Sequence, residues 1–305
     1  MLKKFFCFYY SFFSFILLFS CASVQRSWYT DVSNMKKEVQ TAKKDAFILF
    51  TGSDWDEASK KLLAKLFSST SENELFSKYG KQFLFYHVDI VRNEDAMDTK
   101  QLKRNYLLFS KYNVGDLPYI VVRNFEGDVY YSALLSNGEN IRDVLESTMK
   151  AVVRQATYIE GLKRQIKSSS GFEKTRAIDA FFSSIYNADY AIYDDLRMQA
   201  IEADPKNESG LLGRFKMIVT SLKSEKLVMQ KQYLRAADEY ILILKEDCLD
   251  AQERQNAWYQ IAYLYALSKK IENEKIIYCL KNAINASPQS EAVPRLQEII
   301  DRVKK

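Results

Sequence analysis

The chain has 305 residues, of which 47% are apolar and 14% aromatic, and its 44 basic and 39 acidic residues leave a net charge of +5. Because the basic residues form no stripe, nucleic acid is excluded as the main partner. The apolar content, with only four prolines, also excludes a largely disordered chain, and the length predicts two domains.

Residues 1–20 have the pattern of a secretory signal peptide. Two lysines precede an apolar run over residues 5–19 that is too short for a comfortable membrane span. The run ends in Leu-Phe-Ser-Cys, which resembles the lipobox of bacterial lipoproteins, although a small residue is commoner at the position of Phe19. The resemblance implies that Cys21 is acylated and holds the chain stably on a membrane. The alternative is an ordinary cleaved signal with a coincidental cysteine.

The lipobox resemblance also predicts a location. It implies an exported protein that is anchored to a bacterial membrane through Cys21 and faces the periplasm or the cell surface. The outer membrane is favoured because no aspartate follows the cysteine, where Ala22 stands. Residues 21–27 are then a short tether to the first folded domain.

The first domain starts with a helix and a strand that lead into a tight corner. Apolar residues at helical spacing predict a helix over residues 29–44. The continuous apolar run at residues 47–50 predicts a strand buried on both faces. Ser53 with Asp56, and Asp54 with Glu57, form overlapping capping boxes, so a second helix is expected to begin near Trp55.

Further elements follow along residues 72–139. The pattern predicts a helix over 72–79, a strand over 83–90, a polar loop over 93–99 and a helix over 100–112. A proline at a strand start removes no ladder hydrogen bond, so Pro118 is expected to open the next strand. A last strand over 128–135 and a helix from residue 139 complete the domain. The predicted core side chains of the fourth helix are Leu102, Tyr106, Leu107 and Phe109.

The order of these elements resembles a thioredoxin fold over residues 28–155, with a mixed central sheet flanked by helices. In the branch that the corner resembles, Gly-Ser-Asp-Trp is followed by Cys-x-x-Cys; here Asp56 and Ser59 occupy the two cysteine positions. Leu49 stands where classical thioredoxins carry a buried carboxylate. Because dithiol exchange needs a thiolate, a redox-inactive domain without catalytic residues is expected.

The resemblance also implies a cis peptide bond before Pro118, beside the corner; the alternative is an ordinary trans proline in a loop. In relatives this adjacency positions an extended substrate chain. Here it would leave a short groove edged by Trp55, Asp56, Leu117 and Pro118 and suited to a peptide segment. Inheritance of the shape without a ligand is the alternative.

The second half is helical in pattern. Residues 156–170 read as a connecting helix and a Ser-rich linker, and residues 171–305 as an all-α domain of helical hairpins. Similar helix ends recur about every 41 residues and resemble tetratricopeptide repeats; the alternative is an irregular bundle. The predicted helices are 172–187, 190–203, 209–222, 227–245, 251–267, 272–286 and 292–303.

Few residues of this sequence could take part in catalysis, disulfide exchange or metal binding. Cys248 and Cys279 could form a disulfide in an oxidising compartment, but buried free thiols are preferred. His87 is the only histidine, so neither an ordinary zinc site nor a histidine-based triad is expected. Asp54, Asp56 and Glu57 lack the spacing of a calcium loop. No metal or cofactor is predicted. Five aromatic residues at helical spacing are expected in the core, whereas an exposed subset of them would instead mark a partner groove: Phe181, Phe182, Tyr186, Tyr190 and Tyr193.

These patterns predict a membrane-anchored extracytoplasmic binding or assembly module. Its expected partner is a protein or peptide of the cell envelope, and its oligomeric state is not predicted. The alternative is an enzyme, either a thiol-disulfide oxidoreductase or isomerase that works through Cys248 and Cys279, or an unrecognised hydrolase.

Overall fold

A computed structural model describes residues 27–67, 69–135, 141–186 and 193–304. The predicted signal peptide, Cys21 and nearly all of the tether lie outside these ranges, as do Tyr190 and the expected helix start at residue 139. Within the described ranges, every helix is too short or too polar to cross a bilayer.

The first half forms a four-stranded mixed sheet in the order β2-β1-β3-β4. The pair β1 and β2 is parallel, whereas β3 runs antiparallel to both β1 and β4. With helices on both faces, this is the topology of a thioredoxin-like domain, and the predicted fold class is confirmed. The elements are α1 (Met35–Ala42), β1 (Asp45–Thr51), α2 (Glu57–Leu66), α3 (Ser69–Tyr79), β2 (Phe83–Asp89), α4 (Thr99–Lys111), β3 (Tyr119–Arg123), β4 (Val129–Leu134) and α5 (Ile141–Ser168).

The central strand β1 is buried on both faces, as its unbroken apolar run predicts. Phe47 and Leu49 belong to a core shared with α2, α3 and α5. Ile48 and Phe50 point the other way, into a second cluster with α1 and α4. The sheet is therefore sandwiched between two helical layers, and its strand ends are where polar groups can gather.

Two predictions about helices of this domain are wrong. The first helix is shorter than expected, and α1 begins only at Met35. On α4, Tyr106 and Leu107 are 43% and 70% exposed, although both were predicted in the core. The buried face of α4 carries Leu102 and Asn105, a polar residue that the apolar pattern did not indicate.

The second half consists of helices that pack mainly on their neighbours in sequence. The turn between α8 and α9 lies at residues 230–232, later than predicted, and Lys231 adopts a left-handed conformation there with φ 58°. The helices are α6 (Gly171–Ser183), α7 (Asp194–Ala203), α8 (Leu212–Met229), α9 (Tyr233–Ile243), α10 (Ala251–Ser268), α11 (Asn273–Ala286) and α12 (Val293–Val303).

The apolar cores do not divide at the Ser-rich linker. The cluster on the α5 side of the sheet continues into α6, α7 and α8, where it includes Phe181 and Phe215. A separate cluster is built from α9 to α12. Phe182 and Tyr193 pack against the first cluster, as expected. Tyr186 is 54% exposed, so its predicted place in the core is wrong.

Candidate functional site

Asp56 and Ser59, which occupy the family's cysteine positions, both brace the corner after β1. The Asp56 carboxylate caps α2 by accepting a hydrogen bond of 2.7 Å from the Ser59 amide. The buried Ser59 hydroxyl accepts another, of 3.0 Å, from the amide of Gly52. Carboxylates are stabilised at a helix N-terminus by the same field that would stabilise a thiolate. The corner therefore keeps a place for an anion but holds no nucleophilic sulfur.

Trp55 is fixed by the segment that follows β2. Its indole N–H donates to the carbonyl of Ile90 at 2.7 Å, and the Arg92 guanidinium lies 4.2 Å from the ring centroid. On the other side the ring covers Gly52, where an added Cβ would lie 2.7 Å from Trp55 Cε2. Trp55 thus closes the corner over a glycine, and its indole N–H is already engaged.

Asp54 holds the same segment in place. Its carboxylate accepts hydrogen bonds from the amides of Asn93, at 2.7 Å, and Arg92, at 2.9 Å. The Asn93 amide is the main reason why the pKa of Asp54 lies below its ordinary value. Asp54 and Asp56 therefore act as backbone caps, while Glu57 pairs with the Lys60 ammonium at 2.8 Å.

The Leu117–Pro118 bond is cis. Phe50 pairs with Tyr119, so this bond lies beside the end of β1, where the corner begins. Pro118 is buried and its carbonyl accepts a hydrogen bond of 2.9 Å from the Leu135 amide. Trp55, Asp56, Leu117 and Pro118 are therefore brought to one end of the sheet, and peptide binding by this group stays a prediction.

A polar cluster under the corner was missed by the sequence analysis. Thr51 donates to Asp89 at 2.8 Å, and both the amide and the hydroxyl of Ser53 donate to the same carboxylate. His87 Nε2 lies 2.7 Å from the Thr51 hydroxyl oxygen. Because that hydroxyl gives its proton to Asp89, His87 Nε2 is the donor in this contact. The only available signal was that Thr51 and Asp89 both follow apolar strand runs.

This cluster is not arranged as a hydrolase. The Ser53 hydroxyl donates to Asp89 and not to His87, so the imidazole does not activate it as a base would activate a nucleophile. Burial lowers the pKa of His87, partly offset by Asp89, and keeps the imidazole neutral. The group instead ties the ends of β1 and β2 to the corner.

The two cysteines of the helical half are free thiols. Burial raises the pKa of Cys248, and it raises the pKa of Cys279 to about 11. Both therefore remain protonated near neutral pH, which disfavours the thiolate needed for exchange. No group of three His, Cys, Asp or Glu side chains in the described ranges could hold a metal ion.

A shallow groove of about 220 Å³ runs between α10 and α12. Its lining mixes amide, aromatic, cationic and aliphatic groups, with Asn256 and Tyr259 on α10 and Arg295 and Ile299 on α12. Tyr263, one helical turn beyond Tyr259, is 50% exposed. Tyr263 lies beyond the groove itself but presents an aromatic side chain on the same face of α10 as Tyr259.

Comparisons with known proteins find several similarities. Residues 211–305 match the model of a family described as TP_0391_C, uncharacterised protein C-terminal domain. A protein of Treponema pallidum (strain Nichols), itself described as uncharacterized, is 28% identical over 286 residues, covering 94% of this chain and 92% of that protein. A solved structure titled DsbH oxidoreductase is 21% identical with a TM-score of 0.36, covering 44% of this chain and 88% of its own.

Proposed function

We propose that this protein is a membrane-anchored extracytoplasmic binding or assembly module. Its thioredoxin-like domain is redox-inactive, and its helical half supplies a surface for a protein or peptide of the cell envelope. The observation that carries the proposal is the corner: Asp56 and Ser59 hold it together by hydrogen bonds at the positions where a redox-active relative has its two sulfurs.

The alternative enzyme is disfavoured by the two remaining thiols. Since burial raises the pKa of both, neither is an activated nucleophile. The purified protein is expected to leave a small-molecule disulfide unreduced above background. Turnover that is abolished by Cys248→Ser or Cys279→Ser would instead support the oxidoreductase.

The partner surface that we propose is the groove between α10 and α12. Aromatic side chains and arginine are enriched where proteins bind one another. Tyr259, Tyr263 and Arg295 supply these types along one side of the helical half. Stacked helical hairpins commonly present such a surface, and we propose that this half is built of hairpins of the tetratricopeptide kind.

Cross-linking in the native envelope tests this surface. The variant Tyr263→Ala, Arg295→Ala is compared with Tyr158→Ala, Arg154→Ala on α5, where Tyr158 has the same 50% exposure as Tyr263. We expect the first variant to lose the cross-linked partner and the second to retain it. Equal capture by both variants would contradict a role for the groove.

The membrane anchor is tested separately. Mass spectrometry of the mature N-terminus is expected to find lipid on Cys21. An unmodified terminus, or one that begins elsewhere, would remove the anchor from the proposal while leaving the partner surface standing.

A further inference from the structure

A cavity of the thioredoxin-like half lies at the end of the sheet opposite to the corner. It has a volume of about 550 Å³ and opens between the residues that lead into β1 and β2 and one side of α5. Phe125, Tyr130 and Ile159 give it an apolar wall. Its size is within the range of small-molecule sites.

Three cations from separate parts of the chain surround this cavity. Lys43 follows α1, Lys81 precedes β2, and Arg164 lies on α5. All three side chains are exposed, and none forms an ion pair with another described residue.

The acidic groups nearby are already engaged. The half-buried Asp45 carboxylate accepts the hydroxyl of Tyr130 at 2.7 Å. Glu160 lies 3.2 Å from the Lys163 ammonium, which also contacts Glu126. Asp45 and Glu160 also line the cavity, but with Lys163 the basic groups number four against three carboxylates, so an excess of positive charge favours an anion.

The described chain also begins at this end of the sheet. Tyr29 forms a parallel bridge with Tyr86, donating to the Phe85 carbonyl at 2.9 Å and accepting from the His87 amide at 2.8 Å. Because the pairing is parallel, the residues before Tyr29 run toward the start of β2 at Phe83. A fully extended tether from Ser27 back to Cys21 spans at most about 20 Å.

We propose that this basic cavity binds the phosphate groups of anionic phospholipid headgroups in the membrane that carries the protein. The inference rests on the lipid anchor of the proposed function. The described chain begins at the end of the sheet where Lys43, Lys81 and Arg164 are gathered, so a short tether would hold these cations within reach of the headgroups. Each basic residue near an anionic membrane surface strengthens attraction on the order of fivefold. The corner, at the other end of the sheet, then faces away from the membrane.

Lysine footprinting on the full chain tests the contact. The protein is reconstituted in vesicles of phosphatidylcholine, with or without phosphatidylglycerol, and treated with a water-soluble acylating reagent. We expect labelling of Lys43 and Lys81 to fall several-fold when phosphatidylglycerol is present, while the exposed Lys103 on α4 is labelled equally in both. Equal labelling of Lys43 and Lys81 in both vesicles would overturn the proposal.

A charge-matched pair of variants separates local binding from net charge. Lys43→Gln, Lys81→Gln is compared with Lys103→Gln, Lys269→Gln, and attachment to phosphatidylglycerol is read from the labelling of Lys44 beside the cavity. Only the first pair is expected to abolish protection. Loss of protection in both pairs would show a non-specific charge effect and overturn the cavity as the site.

Two further readouts distinguish the possible failures. The mass of the N-terminal peptide in the same sample reports acylation of Cys21, so a missing anchor is recognised independently of headgroup contact. Calorimetry of the full chain in detergent with glycerol 3-phosphate detects a soluble ligand. Binding of glycerol 3-phosphate without any protection in vesicles would assign the cavity to a soluble phosphate ester and overturn the headgroup proposal.

Discussion

At the scale of single residues, two aspartates show how surroundings decide the role of one side chain. Asp56 meets the amides of a helix N-terminus, where its negative charge is stabilised. Asp45 begins the central strand and is half-buried beside Tyr130, where burial raises its pKa. Asp56 therefore serves as a helix cap, whereas Asp45 bears a desolvation cost when it ionises.

Replacing Asp56 tests its assignment as the residue that caps α2. Asp56→Ala is expected to lower the free energy of unfolding by about 1 kcal/mol because the amide of Ser59 loses its acceptor. Asp56→Asn is expected to retain most of the stability, since asparagine also caps helices. Urea denaturation measures both, with Glu57→Ala as the matched control on an exposed carboxylate; equal losses for Asp56→Ala and Glu57→Ala would contradict the cap.

The pH dependence of stability tests the assignment of Asp45 as a carboxyl group that burial makes harder to ionise. Burial raises the pKa of Asp45 in the folded protein to about 6, above its ordinary value of 3.8. Between these values the folded chain retains a proton that the unfolded chain has lost, so this group makes stability fall as the pH rises toward 6. Asp45→Asn is expected to flatten that decline in urea midpoints measured from pH 4 to 7. An unchanged slope in the variant would show that Asp45 does not ionise in this way.

At the scale of elements, helix ends could be predicted from neighbouring residues in the sequence, but the alignment of one strand with another could not. The turn and cap around Asp56 depend on neighbours in the chain, so local sequence indicated the start of α2 to within two residues. The two predicted capping boxes are nevertheless wrong, because Ser53 donates to Asp89 and Asp54 accepts from the amides after β2. The pairing of Thr51 with Asp89 depends on the alignment of β1 and β2, which no local pattern contains. On α4 the core assignment failed because Asn105, a polar residue, lies on the buried face.

The close packing of α8 against α10 can be tested at Gly213 on α8, with Gly161 on α5 as a control that has open space around it. An added Cβ at Gly213 would lie 2.5 Å from the backbone oxygen of Cys248 and would also meet the Glu253 carboxylate. Gly213→Ala is therefore expected to lower the free energy of unfolding by about 1–3 kcal/mol. Gly161→Ala, at a helical position with open space, is expected to raise it by about 0.5–1 kcal/mol. Thermal or urea unfolding of both variants is the measurement, and equal effects would refute the close approach.

At the scale of the whole molecule, α5 joins the sheet to the helical half. One apolar cluster contains sheet residues, α5 and parts of α6 to α8. The Tyr186 amide also donates to the carbonyl of Val129, and the Tyr193 hydroxyl to Asp128, so these two tyrosines lie against the edge strand β4. The family match begins at residue 211, next to the start of α8. The domain boundary predicted at residues 170 and 171 stays a prediction. It was based on the Ser-rich composition, which carries no information about contacts between the two halves.

Shortened chains decide where the first folding unit ends. A chain of residues 27–170 loses Phe181 from the core and uncovers β4, and an uncovered strand edge promotes aggregation.

A chain of residues 27–210 keeps α6 and α7 on that core and gives up the contacts of Leu211 and Phe215. We therefore expect residues 27–210 to be soluble and to unfold cooperatively, at a lower urea midpoint than residues 27–305, and residues 27–170 to aggregate. Size-exclusion chromatography and urea unfolding measure both properties. If residues 27–170 unfold with the same midpoint as residues 27–210, the thioredoxin-like domain ends at the linker, and α6 and α7 belong to the helical domain alone.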